Sequence, residues 1–381
     1  MAYFDNAATT FPKPECVYES MDIFYRHHGG SFGRGEHHMA LETGRLVQDT
    51  RDLICALLHC PCKQVVFTPT ATIALNMILQ GLLQKNVANI YITPFEHNAV
   101  TRILHHYENL GGIKVRTLAI DDKLHYDMER IRYQFDELKP ECLIMSHVSN
   151  TIGLITPVTE LCSLGKEYGA TTVIDMAQSA GLVDLDCGLE TIDFAVFAGH
   201  KTLYGPTGIS GFVMKHDIDL PPVFFGGTGF DSANQNMPNS LPEKYEMGTL
   251  NTIGIAGLNA ALKWVSDIGV KTLFTKEQEH RRKLLDLISR FPFMRIIGDN
   301  GSTNYVGIIS CVLDGISSES AGNIFNECGI SVRTGLHCAP MAHKHLGTFP
   351  SGTIRLSSGF FTAEDDYLEL EKALNYISDN L

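Results

Sequence analysis

The sequence is short of positive charge, of tryptophan and of long apolar runs. Its 381 residues hold 30 Lys and Arg against 43 Asp and Glu, a formal net charge of -13, and a single Trp. Because nucleic acids and anionic membranes bind clustered cations, this balance argues against either as a main partner. No apolar run approaches the length of a membrane span, and the first residues lack a basic segment followed by an apolar stretch. We therefore expect a cytoplasmic protein.

The ten cysteines show no disulfide framework. They are scattered through a long chain without a secretion signal, so we expect reduced thiols, most of them in the core. Cys60 and Cys62 form a C-x-C, and residues 27–28 and 37–38 are two His pairs. Neither spacing matches a zinc signature, so we predict no metal site.

Short apolar runs alternate with helical patterns from about residue 40. Segments such as QVVFT, ANIYIT, TTVIDMA and DFAVFAG read as strands, and ATIALNMILQGLL reads as a helix. This alternation is typical of βαβ units on a mostly parallel sheet. After about residue 265 the order changes and indicates a smaller α+β lobe. We predict a large domain over residues 15–255 and a small one over 256–381, with residues 1–14 packed against the small one.

Polar residues follow five of these strands at their carboxyl ends, where parallel sheets bind ligands. They are Thr70 and Thr72, Glu96 and His97, Asn150, Asp175 and Gln178, and Lys201. The sequence therefore predicts a ligand site at this edge of the sheet.

Lys201 in FAGHKTLYG and Asp175 in VIDMAQSAG together suggest pyridoxal 5'-phosphate. The aldehyde of this cofactor needs a desolvated amine, and its ring nitrogen needs a carboxylate that keeps it protonated. For an isolated pair, a surface lysine and a turn aspartate are the ordinary alternative.

The motifs YFDNAATT, EHNAV, HVSNTIG, VIDMAQ, GHKTLYGPTG, MGTLNT, VRTGLHCA and TIRLS resemble those of cysteine desulfurases in the class V aminotransferase superfamily. The resemblance runs from Tyr3 to about Ser358. It implies a fold-type I pyridoxal-phosphate-dependent transferase, with a mostly parallel seven-stranded sheet between helices and a smaller α+β C-terminal domain. It also implies a homodimer with shared active sites.

The resemblance assigns cofactor contacts to this chain. His97 is expected to lie over the pyridine ring, and Asn150 and Gln178 to donate toward its phenolic oxygen. Asp175 is expected at the ring nitrogen and Lys201 at the aldehyde.

The phosphate is expected at the start of the helix after TPTAT. Ala71 and Thr72 offer free amides there, and His200 is a further donor. The resemblance places Thr249 at the phosphate of the neighbouring subunit. Ala198 and Ile73 depart from the family's usual polar residues, so one phosphate hydrogen bond of about 1 to 3 kcal/mol is expected to be missing.

Arg355 is the expected clamp for the substrate carboxylate, with Asn6 and Ala8 nearby. Cys338 lies in VRTGLHCA near His337 and Arg333, a cationic neighbourhood that favours thiolate; a buried structural cysteine is the alternative. The spacing of 17 positions from Cys338 to Arg355 resembles the short-loop group of the family, although Leu336 replaces a frequent histidine.

These assignments predict conversion of L-cysteine to L-alanine with transfer of sulfur to Cys338 as a persulfide. Two alternatives stay open: a selenocysteine lyase acting on L-selenocysteine, and a catalytically silent relative that binds partners in sulfur or metallocofactor trafficking. A sulfur-acceptor protein is expected as a further partner. The sequence does not distinguish an iron–sulfur scaffold from a tRNA-modifying enzyme or a selenium pathway.

Overall fold

The structure, a computed structural model, describes residues 1–30, 32–33, 35–229 and 233–380. The strands are β1 (Ala2–Tyr3), β2 (Lys63–Thr68), β3 (Asn89–Ile92), β4 (Lys114–Thr117), β5 (Cys142–Ser146), β6 (Thr171–Asp175), β7 (Phe194–Ala198), β8 (Ser210–Lys215), β9 (Met294–Ile297), β10 (Ile308–Leu313), β11 (Ile330–Ser331), β12 (Arg333–Gly335) and β13 (Thr353–Ser357). The helices are α1 (Glu15–His27), α2 (His38–Leu57), α3 (Ala71–Gln84), α4 (Asn98–Asn109), α5 (Met128–Glu137), α6 (Val158–Glu167), α7 (Thr252–Ile268), α8 (Val270–Ser289), α9 (Ser318–Glu327), α10 (Pro340–His345) and α11 (Glu364–Asn380).

A seven-stranded sheet forms the larger part, in the order β2-β8-β7-β6-β5-β3-β4. Every neighbouring pair is parallel except the two pairs that involve β8. The predicted mostly parallel sheet is confirmed. Strand β4 was not predicted, because its sequence KVRT carries two charged residues and gives little apolar signal at the sheet edge.

Both faces of this sheet are buried. In β5, Leu143 and Met145 pack against the layer of α2, α5, α6 and α7, whereas Cys142 and Ile144 pack against α3 and α4. Because successive side chains of a strand point to opposite faces, a strand between two helical layers must be apolar throughout. This arrangement explains the uninterrupted apolar runs in the sequence.

The smaller part contains an antiparallel sheet in the order β12-β13-β10-β9, which confirms the predicted α+β lobe. Its core lies between this sheet and α8, α9 and α11, and includes Phe4 from the N-terminus. Strand β1 pairs with β11. The boundary at residue 256 stays a prediction; α7 crosses it and buries Ile255, Leu258 and Leu262 in the larger core.

None of the helices in the described part of the chain combines the length and the apolar character needed to cross a membrane.

Candidate active site

A cavity of about 200 Å³ lies at the carboxyl ends of the parallel strands. Eight of the residues predicted for the site line it together: Ala71, Thr72, His97, Asn150, Asp175, Gln178, His200 and Lys201. The polar strand ends that the sequence predicts to converge therefore do converge.

Lys201 and Asp175 line the same cavity from neighbouring strands, because Asp175 ends β6 and Lys201 follows β7. Burial lowers the pKa of Lys201 to about 8, with Arg355 and Arg333 acting in the same direction and Asp175 opposing them. Burial raises the pKa of Asp175, whose Oδ1 accepts a hydrogen bond from Ala177 N at 2.9 Å. The amine of Lys201 is therefore neutral, and nucleophilic, in a larger fraction of molecules than that of an exposed lysine.

Backbone packing fixes the turn that carries Lys201. A Cβ atom at Gly199 would lie 2.4 Å from the carbonyl oxygen of Ile209, so only glycine fits before His200. The amide of Gly205 closes the turn by donating to Gly199 O at 2.7 Å.

His97 is the N-cap of α4, and its Nδ1 accepts a hydrogen bond from Ala99 N at 3.0 Å. Burial lowers the pKa of His97 to about 4, aided by the positive charges of Lys201 and Arg333. The imidazole is thus neutral, and its proton is on Nε2 because Nδ1 is an acceptor.

The start of α3 presents an anion site at the cavity. Thr70 Oγ1 caps the helix by accepting from Ile73 N at 3.2 Å, whereas the amides of Ala71 and Thr72 form no hydrogen bond within the described residues. His200 Nδ1 is also buried without a partner there. Free amides at a helix N-terminus and an unpartnered imidazole nitrogen suit a phosphate.

The amides of Asn150 and Gln178 each connect the cavity to another segment. Asn150 Nδ2 donates to His337 O at 2.7 Å, and Gln178 Nε2 donates to Ala7 O at 2.8 Å. Each amide group has two hydrogens, so one donor remains for a ligand.

The loop of Cys338 is held in an unusual backbone conformation. His337 and Cys338 have φ angles of 47° and 56°, in the left-handed region that favours glycine. The carbonyl of Cys338 accepts from Asn98 N at 2.7 Å, and the His337 imidazole contacts Thr353 Oγ1 at 2.9 Å. Arg333 Nη2 lies 3.9 Å from Cys338 Sγ. Several bonds therefore compensate the strain and place the thiol beside a cation.

Arg355 is buried, with 2% of its surface exposed. Its Nη2 pairs with Asp5 at 2.9 Å and its Nη1 donates to Asn150 O at 2.9 Å, whereas Nε has no partner within the described residues. Arg355 is not among the residues that line the cavity. The protein thus fixes the guanidinium through Nη1 and Nη2 and leaves Nε buried without a partner within the described residues.

Besides Cys338 and Arg355, three predicted site residues lie outside the lining of the cavity. Asn6 donates to Ser357 O at 3.1 Å and accepts from Phe11 N at 3.2 Å, so its side chain holds the N-terminal segment. Ala8 is half-buried in that segment. Thr249 is exposed and lines a different pocket. The roles assigned to these residues stay predictions.

Lys13 was missed at the sequence level. Its Nζ donates to His200 O at 2.7 Å and to Thr10 Oγ1 at 2.6 Å, and Thr10 Oγ1 donates to Lys201 O at 3.1 Å. Thr9 Oγ1 also donates to His200 O, at 3.1 Å. The signal was a lysine in PKP, one residue after the DNAATT motif. Residues 9–13 thus hold the peptide that carries Lys201.

Glu96 was noted only as a polar strand end. It is fully buried and accepts hydrogen bonds from Thr93 Oγ1 at 2.6 Å and Ser146 N at 2.8 Å. Burial raises its pKa to about 7. Glu96 therefore ties the loop of His97 to the end of β5.

The chain belongs to the class V aminotransferase family, whose model matches residues 2–370. It is similar to a probable cysteine desulfurase of Methanothermobacter thermautotrophicus, with 29% identity over 383 residues that cover 99% of this chain and 94% of the relative. A probable cysteine desulfurase of Pyrococcus abyssi is 30% identical over 362 residues, covering 93% and 88%.

Solved structures of cysteine desulfurases are also similar to this chain. The apo structure of a cysteine desulfurase from Thermococcus onnurineus superposes with a TM-score of 0.90 at 26% identity, covering 100% of this chain and 95% of that one. The cysteine desulfurase CsdA of Escherichia coli, as an S-sulfonic acid, gives a TM-score of 0.86 at 26% identity over 100% and 95%. The predicted resemblance to cysteine desulfurases is confirmed.

Proposed function

We propose that the protein is a pyridoxal-phosphate-dependent cysteine desulfurase that converts L-cysteine to L-alanine and holds the sulfur on Cys338 as a persulfide. The observation that carries the proposal is that the cavity of Lys201 adjoins a second space, a groove of about 560 Å³ along α3 and α4. Lys201 and Asp175 line the cavity, Cys338 lines the groove beside it, and His97 lines both. The similarity to cysteine desulfurases supports the same reaction.

The residues present fit the cofactor. When bound, pyridoxal phosphate supplies an aldehyde for amines and a ring that takes up electrons. Lys201 would hold the aldehyde carbon, and the free carboxylate oxygen of Asp175 would accept from the ring nitrogen. The amides of Ala71 and Thr72 and the unpartnered nitrogen of His200 would hold the phosphate. Ala198 adds no hydroxyl to this wall of the cavity.

Lys201, Arg355 and Cys338 each have a separate role in turnover. The Lys201 amine, with its pKa near 8, moves the proton at the substrate α-carbon, since a base works best with a pKa close to the working pH. Arg355, oriented by Asp5, binds the substrate carboxylate through Nε and its remaining hydrogens. The Cys338 thiolate forms a bond to the substrate sulfur as the bond from that sulfur to the β-carbon breaks. The carbon fragment keeps the electron pair, takes up protons and leaves as alanine.

We also propose a cytoplasmic homodimer in which Thr249 reaches the phosphate site of the other subunit. Within one chain Thr249 is exposed and lies outside the cavity, which supports a role across an interface. Iron–sulfur cluster biogenesis is among the destinations that we propose for this sulfur.

Two variants with a matched control test the reaction. Lys201→Ala is expected to lose alanine formation and the cofactor adduct that borohydride traps on the Lys201 peptide. Cys338→Ser is expected to retain that adduct but to form no persulfide, because Lys201, Asp175 and Arg355 are untouched. Cys328→Ser, at another half-buried free thiol of the same lobe, is expected to behave as wild type.

The measurements are alanine release and persulfide mass on the Cys338 peptide. Persulfide on another cysteine, or undiminished desulfuration by Cys338→Ser, would contradict the proposed nucleophile. Alanine from L-selenocysteine but not from L-cysteine would instead establish the selenocysteine lyase.

A further inference from the structure

A groove of about 560 Å³ runs along α3 and α4 and includes Cys338 in its wall. It shares Thr72, His97 and Ala99 with the cavity of Lys201, so the two spaces adjoin. Cys338 lines the groove and not the cavity. A compound that removes sulfur from Cys338 can therefore approach through the groove while the cavity is occupied.

The groove has a chemical character that differs from the rest of the protein. Its polar wall consists mainly of Asn76, Gln80, Asn98, Arg102 and His106, and none of the described residues that line it is an Asp or a Glu. The whole chain, by contrast, has a net charge of -13. An acid-free groove on an acidic protein favours an anionic ligand.

Arg102 is the main charge of this wall. Its side chain is exposed, and it forms no ion pair or hydrogen bond within the described ranges of the chain. Its field reaches the catalytic cavity, because it helps to lower the pKa of His97, after the larger effects of burial, Lys201 and Arg333. A guanidinium with free donors binds carboxylates in a bidentate manner, and the amides of Asn76 and Gln80 add donors along the same wall.

Resting on the proposed function, we propose that this groove binds a small thiol compound that carries carboxylates, and that this thiol takes the sulfur from Cys338. The volume lies within the range of small-ligand sites, about 300 to 1,000 Å³. Carboxylates of the compound would meet Arg102 and the amides, and its thiol would face Cys338.

The transfer balances without another reactant. The acceptor thiolate attacks the terminal sulfur of the Cys338 persulfide, forming a new S–S bond. The bond between Cys338 Sγ and that sulfur breaks, and Cys338 leaves as the thiolate that begins the next turnover. The proton of the terminal sulfur stays with it, and the acceptor becomes the persulfide.

The test compares mercaptosuccinate, which has two carboxylates, with the uncharged 2-mercaptoethanol. Enzyme loaded by one turnover of L-cysteine is mixed with each thiol, and loss of persulfide mass is followed over time. For wild type, the rate with mercaptosuccinate is expected to saturate with concentration. In Arg102→Glu, the ratio of the mercaptosuccinate rate to the 2-mercaptoethanol rate is expected to fall about tenfold, as for an attraction turned into a repulsion. Comparing this ratio between wild type and variant cancels the different intrinsic reactivities of the two thiols.

Arg282→Glu is the matched control, because Arg282 is exposed on α8, outside the groove, and the variant makes the same change of charge. It is expected to leave the ratio unchanged. An equal loss with both thiols in Arg102→Glu, or an equal effect of Arg282→Glu, refutes the inference. Persulfide that resists both thiols and yields only to a protein acceptor also refutes it. If wild type forms no alanine and no persulfide, the proposed function itself fails, and that result is seen before any thiol is added.

Discussion

Replacement of Lys13 by Met is expected to lower activity without lowering the stability of the fold. Lys13 Nζ lies 2.7 Å from His200 O, the carbonyl just before Lys201. At pH 6.5, below its pKa of about 7, Lys13 is mostly charged, and a hydrogen bond from a charged donor contributes about 1.5 to 3 kcal/mol. If that energy holds Lys201 in its reactive position, losing it lowers kcat about 10- to 100-fold.

The effect on stability has the opposite sign. Burial lowers the pKa of Lys13 from 10.5 to about 7, so the fold disfavours its charged form. The resulting penalty is fully present below pH 7 and disappears as the pH rises toward 10.5. The Met variant avoids it, and its Tm is expected to equal or exceed that of wild type at pH 6.5, with a smaller advantage at pH 9.

The assay measures kcat and KM for alanine release at pH 6.5 and saturating cofactor, together with Tm at pH 6.5 and pH 9. Lys13→Arg keeps a charged donor and is expected to recover part of kcat. Lys139→Met removes an exposed lysine far along the chain and is expected to change neither quantity. The reasoning is refuted if Lys13→Met retains full kcat, or if its loss of activity merely follows a loss of Tm.

Mixed dimers of a Lys201→Ala subunit with a Thr249→Ala subunit are expected to show about half of wild-type activity, because one active site then carries both substitutions and the other carries neither. Activity below that of the Thr249→Ala homodimer would instead place Thr249 in the active site of its own subunit. Glu277→Gln is expected to stabilise the protein by up to about 3 kcal/mol above pH 7 and not at all below pH 4.5. The reason is that burial raises the pKa of Glu277 from 4.5 to about 7, so the folded protein holds a buried charge only at the higher pH. Glu277 also accepts a hydrogen bond from Gly307 N at 2.8 Å. Chemical denaturation at pH 8 and pH 5 measures this difference, and equal stabilisation at both values would contradict it.

The sequence predicted the converging strand ends because each is a local pattern, an apolar run followed by a polar residue. The same pattern could not predict the pairing of Arg355 with Asp5, because these two residues lie 350 positions apart and belong to no shared motif. It missed Lys13 for the same reason, since the acceptor of its hydrogen bond is a backbone carbonyl 187 positions away. The contact that Thr249 is expected to make lies on another subunit, which no single chain can display.

The N-terminal segment also sets when a nascent chain can become reactive. Tyr3 pairs with Ser331 in the two-stranded sheet, and Asp5 pairs with Arg355. A ribosome adds about 5 to 20 residues per second, so the segment waits roughly 20 to 70 seconds for these partners. Until then residues 9–13, which hold the peptide of Lys201, belong to a segment that lacks both of these long-range anchors. The last strand thus completes the anchoring of the N-terminal segment, because a chain that ends between Ser331 and Arg355 can pair Tyr3 but leaves Asp5 without its partner.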